Sequence, residues 1–325
     1  MSTRCFWAED FLTASFPYEP VIADRILAAG EKLLLIGPSE AGKSYLVMQW
    51  ALEFATGGDI FGRDVTRAFR TLLVQAEVME GEYQDRFRRF VANYGDLNEK
   101  RLAIATTEAA KLNTPEGFTL LATMVADVKP EILIFDPLRA FFEGDENDSA
   151  IGEQFFQALA TLQRAGAAPF TFIGVHHVRK PGSEFGDDSK YAVRGSGIWT
   201  DRPSTVLGLS ANAAQTEWQL SYLKTRARST RTGAQRLRVD ADTHLFTLMD
   251  DDGATVRIER IVAAIGVEIR PWNDVRREVA RDCRVSEREV ERWAVVAERE
   301  GIVEKIADPI HRSRKLIRRK VDGGV

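Results

Sequence analysis

The eight residues Gly37-Pro38-Ser39-Glu40-Ala41-Gly42-Lys43-Ser44 follow the apolar run Leu33 to Ile36 and open an amphipathic stretch. They fit G-x-x-x-x-G-K-[ST], a phosphate-binding loop, in the strand-then-helix setting that such a loop requires. No other feature restricts the fold as much. The loop works at the C-terminal edge of a strand, where a new helix points its N-terminus at an anion. Gly37 and Gly42 let backbone N–H groups wrap phosphate oxygens. Lys43 reaches β- and γ-phosphates, and the Ser44 hydroxyl suits Mg²⁺. The expected nucleotide-binding set is therefore Gly37, Pro38, Ser39, Glu40, Ala41, Gly42, Lys43, Ser44 and Tyr45, with ATP and Mg²⁺ as cofactors. Glu40 is unusual beside phosphates, and its carboxylate must turn away from them.

The surrounding pattern agrees. Short β-rich apolar runs fall at Lys32 to Ile36, Thr71 to Gln75, Arg101 to Ala105, Glu131 to Phe135, Phe170 to Val175 and Thr205 to Leu209. Helical spacing covers Gly42 to Thr56, Gly81 to Tyr94, Pro115 to Val128 and Ser149 to Gly166. Strand and helix alternating in this way predict an α/β fold with a mostly parallel central sheet. Trp218 to Lys224, Gln235 to Val239 and His244 to Leu248 read as antiparallel strands at one edge. The break Asp250-Asp251-Asp252-Gly253 then separates an ATPase domain, residues 1–252, from a module over residues 253–325. That module reads as three helices and two strands, a winged-helix pattern. Its third helix starts at Ser286 with Glu289 three residues on, a capping box.

A phosphate-binding loop needs a carboxylate for the metal. Ile132-Leu133-Ile134-Phe135-Asp136 supplies it, with Asp136 at a strand end and Ser44 as the second metal ligand. The next position, where many such enzymes carry a catalytic Glu, is Pro137. The water-orienting role therefore moves to Glu77, just past the run Thr71 to Gln75. His176 and His177 close the run from Phe170. Neighbouring strand residues face opposite sides, so the pair is a poor metal site. His176 is the expected γ-phosphate sensor, with a hydrogen-bonded core histidine as the plainer reading.

These residues resemble the RecA-like ATPases, and within them the hexameric replicative helicases, especially the RepA helicase of broad-host-range plasmids and its phage relatives. The matching segments are Gly37 to Ser44, Gln75-Ala76-Glu77, Asp136 to Arg139, Gly144 to Asp148, His176 to Lys180, and Arg194 to Gly197 followed by Asp201. The resemblance spans roughly Phe6 to Leu248. It implies a RecA-like P-loop NTPase fold and a Mg²⁺-dependent DNA helicase of a plasmid, phage or mobile genetic element. It also implies catalytic roles for Lys43, Glu77 and His176. Lys224-Thr225-Arg226 resembles the K-x-R element of hexameric motors, in which the Arg completes a neighbouring subunit's site. Lys224 and Arg226 are thus expected to act in trans, although a basic edge or a nucleic-acid contact is the competing reading.

Charge adds a division that the average conceals. The whole chain carries 44 Lys and Arg against 48 Asp and Glu, a net charge of -4. Residues 255–320 alone hold 17 basic and 12 acidic residues. Expected DNA contacts are Arg179, Lys180, Lys190 and Arg194 in a polar loop, and Arg288, Arg292, Arg314 and Lys315 in the basic module. The module suits DNA or a protein partner. The expected assembly is a homohexamer on single-stranded DNA, with a replication initiator or primase as a partner and no membrane. Two cysteines and no apolar leader lead to a cytoplasmic expectation. The alternatives are a DNA-dependent ATPase that loads, regulates or forms recombinase-like filaments without unwinding, and a nucleotide-gated DNA-binding regulator.

Overall fold

A computed structural model describes the chain outside residues 1–4, 17, 24, 95–99, 109, 166–168, 178–196, 213, 227–233, 241–242, 250–260, 267–268, 284–286, 300–301, 309–314 and 320–325. It forms two compact units, one of Met1–Ala234 with Val239–Phe246, the other of Gln235–Arg238 with Thr247–Val325. The sequence alone places this boundary later, after residue 252.

After a six-residue helix α1 (Ala8–Thr13), the first unit opens with a small hairpin, β1 (Pro20–Ile22) and β2 (Leu27–Ala28). These strands are too short to show a period, and sequence reasoning missed them. Then come β3 (Lys32–Gly37), α2 (Lys43–Thr56), β4 (Thr71–Gln75), α3 (Glu80–Val91), β5 (Leu102–Thr106), α4 (Pro115–Val128) and β6 (Ile132–Asp136). They are followed by α5 (Ser149–Ala165), β7 (Thr171–His177), α6 (Ile198–Asp201), β8 (Thr205–Ala211) and β9 (Trp218–Thr225). The sheet of this unit runs β9-β8-β3-β7-β6-β4-β5, and β10 (Gln235–Val239) and β11 (Phe246–Leu248) pair with each other.

The strands from β8 to β5 pair in parallel, and β9 joins β8 antiparallel. The fold is α/β with a large, mostly parallel sheet, as expected. Its middle strands are covered on both faces, so β4 and β6 are buried at every position. That is why they read as unbroken apolar runs rather than as alternation. Helix α4 starts where the sequence said, because the Thr114 hydroxyl accepts from Gly117 N–H and Pro115 needs no donor. Parallel pairing gathers the C-terminal ends of β3, β4, β6 and β7 on one rim. The register neighbours there are Gly37 with His177 and Gln75 with Asp136.

In the second unit a helical turn at 261–265 precedes β12 (Arg270–Pro271), α7 (Trp272–Cys283), α8 (Glu287–Arg299), β13 (Val303–Ala307) and β14 (Lys315–Arg319). The strands form one sheet, β12-β14-β13. Trp272, Val275, Val279, Val290, Ala294, Ala297, Val303 and Ile317 make its core. Many of its cations are held by its own acids. Arg276 pairs with Glu287 at 2.9 Å and Arg318 with Glu304 at 2.5 Å. The buried Lys305 ammonium lies 2.5 Å from Glu291 and 3.4 Å from Glu298. Among the described residues, no helix is long and apolar enough to cross a membrane.

Candidate active site

The phosphate-binding loop is shaped by two close approaches. A Cβ on Gly37 would stand 2.2 Å from the Leu209 carbonyl oxygen, so only glycine lets β3 run this close to β8. Gly42 has φ +84° at the N-cap of α2, a conformation that favours glycine, and a Cβ there would meet the Phe246 ring at 2.9 Å. Two aromatic residues from the edge strands brace the loop. The Trp218 indole N–H donates to the Ala41 carbonyl at 3.1 Å, and Trp218 meets Phe246 edge to face at 5.4 Å. Phe246 is itself fixed by Gln49 on α2, whose amide accepts from Phe246 N–H at 2.8 Å and donates to its carbonyl at 3.0 Å. No short motif marks these partners, which lie 177 and 197 residues from their contacts.

Lys43 is 4% exposed and folds back over its own loop. Its Nζ donates to the Gly37 carbonyl at 2.9 Å and the Pro38 carbonyl at 2.6 Å, and lies 3.3 Å from His177 Nδ1. Burial lowers its pKa to about 8, against the opposing pull of Asp136 and Glu77. An ammonium stripped of water in this way has a strong electrostatic incentive to take phosphate oxygens. The Ser44 hydroxyl donates to Asp136 Oδ1 at 3.1 Å. Asp136 is 4% exposed, and its pKa rises to about 6 through desolvation, which the Ser44 bond partly offsets. A buried carboxylate joined to a hydroxyl offers two hard oxygen ligands, the donor set that Mg²⁺ prefers. The residues present therefore fit that ion.

Glu77 is exposed and follows a locked corner. The Gln75 side chain accepts from Glu77 N–H at 3.2 Å and Val78 N–H at 2.9 Å, and donates to the Val78 carbonyl at 2.6 Å. Ala76 N–H donates to the Asp136 carbonyl at 3.1 Å. Glu77 thus stands beside Asp136 at the rim, and its charge acts on both Lys43 and Asp136. A cavity of ≈ 530 Å³ lined by residues 76–81 and 106–108 opens next to it.

The two histidines divide as strand neighbours must. His177 is the one at Lys43. His176 is 1% exposed and turns to the other side of β7, where its ring lies 5.7 Å from that of Trp199. The expected sensor therefore sits in the core, and its neighbour occupies the position beside the loop. Trp199 also stacks on Phe142 at 4.8 Å and donates to the Glu146 carbonyl at 3.0 Å.

Lys224 lies near the end of β9, and Arg226 directly follows the strand. Lys224 Nζ donates to the Thr200 and Asp201 carbonyls, each at 2.7 Å, and Arg226 donates to the Asp201 carbonyl. Both cations cap the C-terminal end of α6, where the helix dipole is negative. Tyr45, half-buried on α2, has Arg86 over its ring at 5.4 Å. Ser39 and Glu40 are exposed, and Pro38 and Ala41 complete the loop. Of the expected DNA contacts, Arg179, Lys180, Lys190, Arg194 and Arg314 lie outside the described residues. Arg288 and Arg292 are placed on α8 by their backbone, and Lys315 is exposed on β14.

The sequence model of the AAA domain family matches residues 2–183, more than half of the chain. The match covers the loop, Glu77, Asp136 and both rim histidines, and ends before Lys224. No curated protein matches the chain.

Proposed function

The chain belongs to the AAA domain family, and on that footing we propose that it is an ATP-driven DNA translocase and helicase that works as a homohexameric ring. The observation that carries the motor reading is the cluster at the rim. Lys43 is poised among loop carbonyls and His177, and Ser44 is bonded to a buried Asp136. Bound ATP would draw Lys43 from the Gly37 and Pro38 carbonyls onto its phosphates. Ser44 and Asp136 would hold Mg²⁺, whose charge offsets that of the β- and γ-phosphates. Glu77 orients the attacking water, and His177 takes the role of γ-phosphate sensor. Lys224 and Arg226 serve the neighbouring subunit's site.

The resemblance to RepA-type helicases supports DNA as the track and a plasmid, phage or mobile element as the setting. Helices α7 and α8 with the sheet β12-β14-β13 support a winged-helix reading of the second unit. A non-unwinding, partner-regulating ATPase is the second reading. It is favoured by the pairing of Arg276, Lys305 and Arg318 with acids of the same unit, which leaves fewer cations for phosphates.

A forked duplex with a single-stranded tail separates the two. ATP- and Mg²⁺-dependent strand separation, lost in Lys43→Ala, supports the helicase. DNA-stimulated hydrolysis without strand separation would overturn it in favour of the second reading.

A further inference from the structure

Helix α6 is a single turn, and a helix that short has no stability of its own. One side chain places it. Of its residues only Trp199 is buried, and it is buried completely. The indole stacks on Phe142 at 4.8 Å and meets Phe155 and Phe156 of α5 at 5.6 Å each. On β7 the His176 ring lies 5.7 Å away. The indole N–H donates to the Glu146 carbonyl at 3.0 Å, which fixes the ring's rotation. Helix α5 shapes the seat. A Cβ on Gly152 would stand 2.3 Å from Ile198 Cγ2 and 3.5 Å from the indole, so only glycine at 152 leaves α6 where it is. Beyond the helix, Arg202 pairs with Glu153 of α5, an exposed contact of small worth.

The last two residues of α6 hold cations. The Thr200 and Asp201 carbonyls each accept from Lys224 Nζ at 2.7 Å, and the Asp201 carbonyl also accepts from Arg226. Two like charges therefore converge on one oxygen. Burial first, and Arg226 second, hold the Lys224 amine below its ordinary range. Cations this close stay side by side only where an acceptor binds both. An ammonium and a guanidinium each carry more N–H groups than these carbonyls occupy, so donors remain for a further oxygen ligand.

We propose that Trp199 is a positioning residue for Lys224 and Arg226: by seating α6 against α5 and β7 it fixes the Thr200 and Asp201 carbonyls, and these aim the two cations at a second copy's nucleotide. The inference rests on the reading of Lys224 and Arg226 as trans-acting, and adds what sets their direction. A misplacement of about 1 Å in such a group costs up to about 100-fold in rate.

The test uses two variants of the full chain. Trp199→Phe keeps a ring in the seat and removes the N–H. Gly152→Ala leaves every α6 side chain intact and pushes on Ile198. Binding of a fluorescent ADP analogue, ATP hydrolysis and thermal unfolding are measured for each. Each is also mixed with Glu77→Gln and, separately, with Arg226→Ala. Expected are unchanged nucleotide binding and hydrolysis lowered by about 10- to 100-fold. Mixing with Glu77→Gln should restore part of the activity and mixing with Arg226→Ala none, because a misaimed Arg226 and an absent one are the same defect. Recovery with Arg226→Ala puts the defect in the variant's own nucleotide site and overturns the proposal. Full hydrolysis in both variants overturns it as well. A loss that only follows the fraction unfolded at the assay temperature makes Trp199 a packing residue and has the same result. If Arg226→Ala hydrolyses ATP at the wild-type rate, or gains nothing from Glu77→Gln, the trans-acting reading itself fails, and the inference falls with it.

Discussion

Lys43 Nζ lies 3.3 Å from His177 Nδ1, although 134 residues separate them. The contact exists because β3 pairs with β7 in a register that sets Gly37 opposite His177. It assigns different work to two adjacent histidines. His177→Ala should leave folding nearly unchanged and lower ATP turnover by about 100-fold, the scale of one lost transition-state donor. His176→Ala should instead cost roughly 2–5 kcal/mol of stability, because it empties a packed site against Trp199. Turnover and chemical denaturation on both variants check this. Equal turnover loss in the two, with equal stability, would remove the distinction.

Lys43→Ala should reduce hydrolysis by at least about 1,000-fold, since the residue acts on the charge that grows at the phosphates. The unliganded protein should not lose stability to match. The wild-type ammonium is desolvated, with a pKa lowered to about 8, and so is held in its charged form at a cost. Nucleotide affinity in the wild type should fall above about pH 8 as this amine begins to lose its proton in the free protein. Isothermal titration between pH 7 and 9 measures both effects.

Asp136 sets a second pH dependence of opposite direction. Its carboxyl titrates near 6 when folded and near the ordinary 3.8 when unfolded, so between those values the folded state holds the proton more tightly. Stability contributed by this group is therefore full below the lower value and lost as pH rises through the upper one. The loss is on the order of 3 kcal/mol for two pKa units. Asp136→Asn should raise metal-free stability at pH 7, with less effect at pH 4, and abolish the Mg²⁺ dependence of nucleotide binding. Denaturation midpoints at the two pH values decide it. In the wild type, Mg²⁺-dependent binding should weaken below pH 6, because the metal must displace the proton.

Arg226→Ala should keep nucleotide binding and lower hydrolysis by about 1,000-fold, the lower end of what an arginine supplied in trans contributes. Mixing it with Glu77→Gln tests where the residue acts. Each variant supplies what the other lacks, so mixed assemblies should regain part of the activity. No recovery across mixing ratios would place Arg226 within its own subunit's chemistry.

The site was legible wherever its chemistry is local in sequence. The loop from Gly37 to Ser44 carries its own signature, and Asp136 ends a run too apolar to lie at a surface. The choice between His176 and His177 was not legible, because strand alternation states that they diverge but not which one faces the loop. That phase is set by pairing with β3, a tertiary fact. Trp218 and Phe246 read as ordinary edge-strand residues for the same reason. The basic balance of residues 255–320 suggested free cations, and counting could not reveal that Arg276, Lys305 and Arg318 meet acids on neighbouring elements. The hairpin of β1 and β2 is too short for any periodicity to register.

The bonds between Gln49 and Phe246 have a consequence for how the molecule is made. During synthesis, the loop at 37–44 and the helix behind it emerge about two hundred residues before the ring that closes over Gly42. At the slower end of translation rates, about 5 residues per second, that is a wait of roughly 40 seconds. A nascent chain halted short of β11 would carry the whole phosphate-binding signature and lack the brace that holds it in shape. Nucleotide capture should therefore begin late on the ribosome, after the edge strands have cleared the exit tunnel, and not when the motif itself appears.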